Sequence, residues 1–227
     1  MSEQKSENAH VESALLRLAE RPVGDAGTQA RFAAERFAAT AAASGVADIT
    51  YTAIESPFGA LLAASTRRGL VRLAFPEERP EEVLGMLAAR LSPRIVESPR
   101  ALEPLQRELD RYFAGNVRRF RIRTDWSLIG PFARRVLKAT AAIPFGGVLS
   151  YGEVAAEAGS PRGSRAAGNA LGSNPIPIVI PCHRVLLSGG VLGGYGGGPE
   201  RKRWLLELEG ALDADSGRAK NRGRGSA

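Results

Sequence analysis

The only cysteine of the chain, Cys182, is followed directly by His183 and Arg184. A thiol becomes a strong nucleophile only after losing its proton, and an adjacent base or positive charge favours that loss. His183 can take the proton, directly or through a water, while Arg184 either adds positive potential or anchors structure. The approach to the cysteine, Ile178–Val179–Ile180, is apolar, and Pro175, Pro177 and Pro181 restrict its backbone. Behind it comes Gly193–Gly194–Tyr195–Gly196–Gly197–Gly198. A stiff strand that hands a Cys–His–Arg triplet to a glycine-rich loop is what a positioned nucleophile needs. A carboxylate is expected to orient the imidazole, as the third member of a catalytic triad does. Glu207 and Glu209, on the last expected helix, are the candidates. One cysteine and two histidines are too few soft ligands for a zinc site, and a lone cysteine forms no intrachain disulfide.

These residues must be held by a scaffold, and the chain divides into four parts. Residues 1–47 carry two partial apolar stripes, broken around Pro22, Gly24 and Gly27, and are given no function. Over 48–125, three short runs rich in β-branched and aliphatic residues are separated by Pro57–Phe58–Gly59 and Arg67–Arg68–Gly69, which predicts a three-stranded antiparallel meander. Helices are expected at 80–91 and 99–114, with Arg118–Arg123 returning as a strand. Over 126–210, FARRVLKATAAI has helical spacing, and Ser150–Tyr151–Gly152–Glu153 is a capping box that opens a helix through Ala158. The turn GSPRG leads into a second short helix, 164–173, and the pair predicts a helix-turn-helix. That second helix is almost all alanine and glycine; it enters a groove closely or packs tightly into the core, with Arg165 projecting either way. Residues 211–227, rich in Gly, Arg and Ser, read as a disordered basic tail. The expected class is α+β: an N-terminal antiparallel-sheet-plus-helices domain, then a mostly helical C-terminal domain with the helix-turn-helix.

The net charge is +7. Residues 126–210 hold nine basic and five acidic side chains, against thirteen and eleven over 48–125, so most of the excess lies in the second half. Such a domain suits a polyanionic partner, although a solvated basic surface explains the same balance. The sequence has no apolar run of roughly 18 residues that would span a bilayer. Its start, MSEQKSENAH, is polar, and the expected compartment is the cytoplasm.

Ile180–Pro181–Cys182–His183–Arg184–Val185, with Asn174–Pro175 ahead and Gly194–Tyr195 behind, resembles the O6-alkylguanine-DNA alkyltransferases, also called methylated-DNA–protein-cysteine methyltransferases. Ser150 to Ala155, Arg165–Ala166 and Trp204 to Gly210 match in order and spacing. The likeness is strong over 126–210, moderate over 48–125, and absent from 1–47 and the tail. It implies direct DNA repair without a cofactor: Cys182 attacks the alkyl carbon on O6 of a damaged guanine, and on O4 of alkylated thymine by extension. A thioether has no easy leaving group, so each molecule acts once.

The resemblance implies the following site. His183 is the water-mediated base, oriented by Glu209. Tyr195 donates to the leaving purine, and the Gly196 N–H donates at O6. Val185 and Cys182 carbonyls accept from the guanine amine, with Asn174 and Pro177 beside the substrate. A base inside a duplex must be flipped out to reach the thiol. Arg165 would fill the gap and Tyr151 would crowd the adjacent phosphate, while Ser150, Arg134 and Arg135 contact the backbone. The implied partner is double-stranded DNA, held through the minor groove with little sequence preference, by a monomer whose cooperativity is open. Some relatives carry a cysteine-rich zinc portion, which this chain lacks. As a further expectation, the glycine-rich loop leaves room for groups larger than methyl. The rivals are a non-enzymatic lesion-recognition module that recruits other factors, a Cys–His hydrolase, and a plain DNA-binding regulator. The presence of Cys182 argues against the first.

Overall fold

The computed structural model describes residues 47–212 and, ahead of them, only positions 33 and 40. The expectations for 1–46 and for 213–227 lie outside the described residues. Alternating strands open the fold: β1 Ile49–Ile54, β2 Leu61–Thr66 and β3 Gly69–Ala74 form the expected meander. Helix α1, Pro80–Arg90, then crosses over to β4, Ile95–Glu97, which pairs parallel with β1 from Ile49↔Ile95 to Tyr51↔Glu97. The sheet order is β3-β2-β1-β4, so the sheet is mixed rather than purely antiparallel. Three residues are too few to show a period of two, and a parallel partner needs a crossover rather than a hairpin.

Helix α2, Pro99–Phe113, covers one face of this sheet with Leu102, Leu105, Leu109 and Tyr112. The expected strand over Arg118–Arg123 is not formed. The segment meets β3 only at the bridge Leu70↔Thr124, although Phe120 and Ile122 do pack on the core. Gly69 makes that approach possible. Its φ is +136°, and a β-carbon there would stand 2.2 Å from the Arg123 carbonyl oxygen. Gly69→Ala is therefore expected to destabilise the protein by about 1–3 kcal/mol, read as a drop of several degrees in Tm by calorimetry.

The second half is helical: α3 Pro131–Ala141, α4 Tyr151–Glu157, α5 Ser164–Gly172 and α6 Pro199–Leu208. Proline opens α1, α2, α3 and α6, where a missing N–H costs nothing. The Ser150 capping box is present, with both reciprocal bonds made. In α5 the ambiguity over its small residues resolves by face: Ala167, Ala170 and Leu171 are buried, while Arg165, Ala166 and Asn169 face outward. Two-residue strands β5, Leu149–Ser150, and β6, Val185–Leu186, pair in parallel and tie the start of α4 to the segment after the cysteine.

One apolar cluster joins the halves, running from Leu61, Leu73 and Leu105 to Val136, Ala167, Ile180 and Leu205. Backbone contacts cross the join as well: the Leu73 N–H donates to the Pro175 carbonyl at 2.9 Å. Ala211 and Leu212, read from the sequence as the start of the tail, are buried beside Leu186 and Leu206. Among the described residues, no helix is long and apolar enough to cross a membrane.

Candidate active site

Cys182 opens a 3-10 turn, Cys182–Arg184, between α5 and β6. The approach is not the strand expected from Ile178–Val179–Ile180. Proline at 175, 177 and 181 removes ladder donors, and Ile178 takes φ +71°, a left-handed conformation that a β-branched residue rarely adopts. The segment is a tight chain of turns, closed by Ile180 N–H to Ile176 carbonyl at 2.9 Å. Turns and packing, rather than sheet pairing, hold it in place.

Asn174 locks this geometry. Its Oδ1 accepts from the Ile176 N–H at 3.0 Å, and its Nδ2 donates to the Ile180 carbonyl at 2.9 Å and to Cys182 Sγ at 3.1 Å. The same amide thus shapes the turn and supports negative charge on sulfur. Burial dominates nonetheless and pushes the resting thiol up to about 11, against the opposing pull of Asn174 and of the Lys202 ammonium.

Behind the cysteine lies a buried ionic cluster centred on Glu209, at the C-terminal cap of α6. Its carboxylate accepts from His183 Nε2 at 3.0 Å, Arg184 Nε and Nη2 at 2.9 Å each, Tyr112 Oη at 2.6 Å and the Gly146 N–H at 3.3 Å. Burial pushes the carboxyl upward, but the hydrogen bonds from His183 and Arg184 and the charge of Arg184 outweigh it and hold it down at about 2. The imidazole is pulled the other way: burial lowers its pKa and keeps it neutral at rest. An ionised carboxylate only accepts, so His183 carries its proton on Nε2 and presents a lone pair at Nδ1. His183 Nδ1 and Tyr195 Oη are the two buried side-chain polar atoms left without a partner among the described residues. The two rings are 6.3 Å apart. Arg184 is fully committed to structure, its remaining nitrogen bonding the Ile143 carbonyl.

Two residues that the sequence reading passed over belong to this site. Tyr112, on α2 of the N-terminal half, reaches Glu209 across 97 positions. Lys202 is fully buried; its Nζ donates to the Val185 carbonyl at 2.6 Å and the Gly194 carbonyl at 3.3 Å. Burial lowers its pKa to about 8. A signal for Lys202 was present: positions 202, 205, 206 and 209 fall on one face of α6, so the apolar stripe begins with a lysine and ends with a glutamate.

Two concavities meet at the thiol. A cleft of about 820 Å³ is lined by Tyr151, Arg165, Gly168, Cys182, Tyr195 and Gly196, so the outward face of α5 and the start of α4 border it. The Tyr151 hydroxyl donates to the Gly194 carbonyl at 3.2 Å. A second cavity, about 330 Å³, shares Cys182, Tyr195 and Gly196 and adds Asn174, Pro177 and Phe75. The Gly196 N–H has no hydrogen-bond partner among the described residues. Val185 is buried, and its carbonyl accepts from Lys202 Nζ with one lone pair left over. Ser150 Oγ accepts from the Glu153 N–H in the capping box, and Arg134 and Arg135 are exposed, stacked on Trp126 and Phe132. None of these last three lines the cleft.

This arrangement sets a pH expectation for the free protein. With the thiol near 11, iodoacetamide labelling of Cys182 should climb steeply as pH rises from 7, up to about tenfold per unit. Above about pH 8 the climb becomes shallower, because Lys202 sheds the charge that favours the thiolate. Mass spectrometry of the Cys182 peptide across pH 6–10 would read this as the labelling rate; a flat profile would contradict it.

Fold and site together define a helix-turn-helix protein built around one buried, amide-supported cysteine followed by a neutral, buried histidine. Residues 49–126 match the family described as 6-O-methylguanine DNA methyltransferase, ribonuclease-like domain, and residues 131–211 match its DNA binding domain. The chain belongs to the 6-O-methylguanine DNA methyltransferase family. It is 42% identical over 162 residues to a methylated-DNA–protein-cysteine methyltransferase of Mycolicibacterium paratuberculosis, covering 71% of this chain and 92% of that one. Against the Shigella flexneri protein of the same name it is 38% identical over 161 residues, covering 70% and 94%. Among solved structures it resembles Mycobacterium tuberculosis OGT in complex with DNA, with TM-score 0.61 and 40% identity over 70% of this chain and 92% of that one. The Pyrococcus kodakaraensis O6-methylguanine-DNA methyltransferase superposes with TM-score 0.50 at 26% identity, covering 71% and 99%.

Proposed function

We infer that this protein repairs DNA directly, moving the alkyl group from O6 of a damaged guanine to its own Cys182, once per molecule. The observation that carries this is the thiol itself: buried, bonded by Asn174, backed by an imidazole with a free Nδ1, and opening onto a cleft bordered by the helix-turn-helix. Its partner is double-stranded DNA carrying alkylated guanine, consistent with the DNA-bound M. tuberculosis relative.

In this reading, His183 Nδ1 receives the thiol proton through a water, and Glu209 stabilises the imidazolium that results. Sulfur attacks the alkyl carbon in line, the carbon–O6 bond breaks, and its electron pair goes to the guanine. The Tyr195 hydroxyl donates a hydrogen bond to the purine, and the Gly196 N–H donates to O6 as charge builds there. The guanine anion then takes up one proton, the imidazolium of His183 gives up the one it gained, and Tyr195 ends neutral. The backbone carbonyls of Cys182 and Val185 select the exocyclic amine, with Lys202 holding Val185 in place. Arg165 and Tyr151 border the cleft where a flipped nucleotide would enter. Phosphate contacts fall to Ser150, Arg134 and Arg135. The cavity beside Pro177 gives room for alkyl groups larger than methyl. The same reading divides the chain at 48–125 and 126–210, extends the substrate to O4-alkylthymine and places the work in the cytoplasm.

The test is intact and peptide mass spectrometry after mixing with a duplex containing O6-methylguanine. One added methyl on the Cys182 peptide, stopping at one per molecule, is the expected result. Tight binding of the lesion duplex with no mass change would move the protein to the lesion-recognition reading, which the presence of Cys182 disfavours.

A further inference from the structure

Six arginines on the N-terminal half form a basic surface outside the site. Arg67 and Arg68 make the β2–β3 turn, while Arg118, Arg119, Arg121 and Arg123 lie on the segment that runs beside β3. All six are exposed. Along 119–123 exposure alternates: Arg119, Arg121 and Arg123 face out while Phe120 and Ile122 pack inward, which places the three guanidiniums on one side. Four of the six, Arg67, Arg68, Arg121 and Arg123, line a hollow of about 310 Å³ that also holds Ser65 and Thr66 and has no carboxylate in its wall.

Among the described residues none of these six forms an ion pair, whereas Arg72, Arg79, Arg94, Arg107 and Arg201 are each paired with a carboxylate. The nearby acids make their hydrogen bonds with other groups and reach this surface only at longer range, Asp48 attracting Arg67 and Asp125 attracting Arg68. Asp48 is held by Ser92 and Arg94, Asp125 by Thr66 and Ser127, and Glu108 accepts from the Arg121 backbone N–H. Clustered unpaired guanidiniums repel one another, a repulsion that a bound polyanion relieves. The surface also reaches toward the helix-turn-helix half. Arg68 donates to Ser127 Oγ at 3.1 Å, and Arg134 stacks at 5.9 Å on the adjoining Trp126.

We propose that this surface is a second, sequence-independent contact for the phosphate backbone of duplex DNA, separate from the lesion cleft. It rests on the DNA-repair reading only for the identity of the polyanion. Arginine suits the role because its planar fork matches phosphate oxygens in pairs.

The experiment uses the full chain and a lesion-free duplex of about 30 base pairs, with affinity measured by fluorescence anisotropy over a salt series. The slope of log K against log salt falls by about 0.9 for each phosphate that is no longer neutralised. For R118Q/R119Q/R121Q/R123Q the expected fall is about 2 or more, with affinity down roughly tenfold at moderate salt. Methyl transfer from free O6-methylguanine base is expected to be unchanged, which reports an intact fold. The Lys variant R118K/R119K/R121K/R123K should keep most of the slope. If the Gln variant fails to fold, R67Q/R68Q, confined to an exposed turn, carries the same test. An unchanged slope in a folded variant overturns the proposal. So does an unchanged slope with loss of co-sedimentation on anionic vesicles, which would assign the surface to lipid. Arg165→Ala in parallel separates the two ideas: if it alone weakens binding, the lesion cleft stands and this surface falls.

Discussion

Cys182→Ser is expected to abolish methyl transfer while leaving the binding of an O6-methylguanine duplex within about twofold of the parent, since the loss falls on the reacting atom alone. The serine oxygen is smaller but still accepts from Asn174 Nδ2, so the turn built by the Asn174 amide is retained. What disappears is a polarizable sulfur that can carry negative charge with only modest help. A buried hydroxyl is far harder to ionise, and neutral His183 is too weak a base to ionise it. The measurement is methyl count by intact mass beside anisotropy on the same duplex. A methyl group recovered on any other residue would show that Cys182 is not the acceptor. Loss of duplex binding would show that the thiol is part of lesion recognition rather than of transfer alone.

Glu209→Ala strikes the cluster at its centre. The carboxylate is the shared acceptor of Tyr112, His183, Arg184 and Gly146, and it is almost wholly buried. Removing it leaves the Arg184 guanidinium buried without its counter-charge, which costs about 3–5 kcal/mol. Against a total stability of roughly 5–15 kcal/mol, that is a large fraction. It also frees His183 to move its proton to Nδ1, and transfer should slow by about 10²-fold or more in the molecules that remain folded. Glu209→Gln keeps the shape and one acceptor, so its losses should be intermediate.

The same carboxylate sets an acid limit. Its folded-state pKa is depressed, to about 2 from an ordinary 4.5. Its contribution is therefore complete above about pH 4.5 and is lost as pH falls toward 2. A plot of Tm against pH should fall more steeply for the parent than for Glu209→Gln over that window. Parallel curves would mean that the pair contributes nothing specific to stability.

Much of this protein is legible locally. Ser150 and Glu153 stand three apart and make the cap wherever the chain puts them, because both bonds lie within one turn. Prolines at 80, 99, 131 and 199 mark helix starts by their fixed φ and missing donor. The Cys182–His183–Arg184 triplet is likewise a matter of adjacent residues, and it puts the candidate nucleophile and the candidate base side by side. Of the two acidic candidates, the helix face separates them: Glu209 shares the buried stripe with Leu205 and Leu206, and Glu207 is exposed.

Tertiary structure decided the rest. Strand β4 exists because α1 returns the chain beside β1, and three residues carry no periodic signal of that. The apolar run before the cysteine could have been a strand by composition. Packing instead put Ile178 in a left-handed turn, and Asn174 gained both the turn and the sulfur as partners. Tyr112 meets Glu209 only once the two halves share a core, and Arg184 becomes a strut rather than an activator when that carboxylate claims it. Burial itself is the largest such effect. It lifts the Cys182 thiol, keeps His183 neutral and lowers Lys202, because withdrawing water penalises every charged form that lacks a partner. Residue order supplied the reacting groups, and desolvation, a property of the assembled core, set the protonation states from which they start.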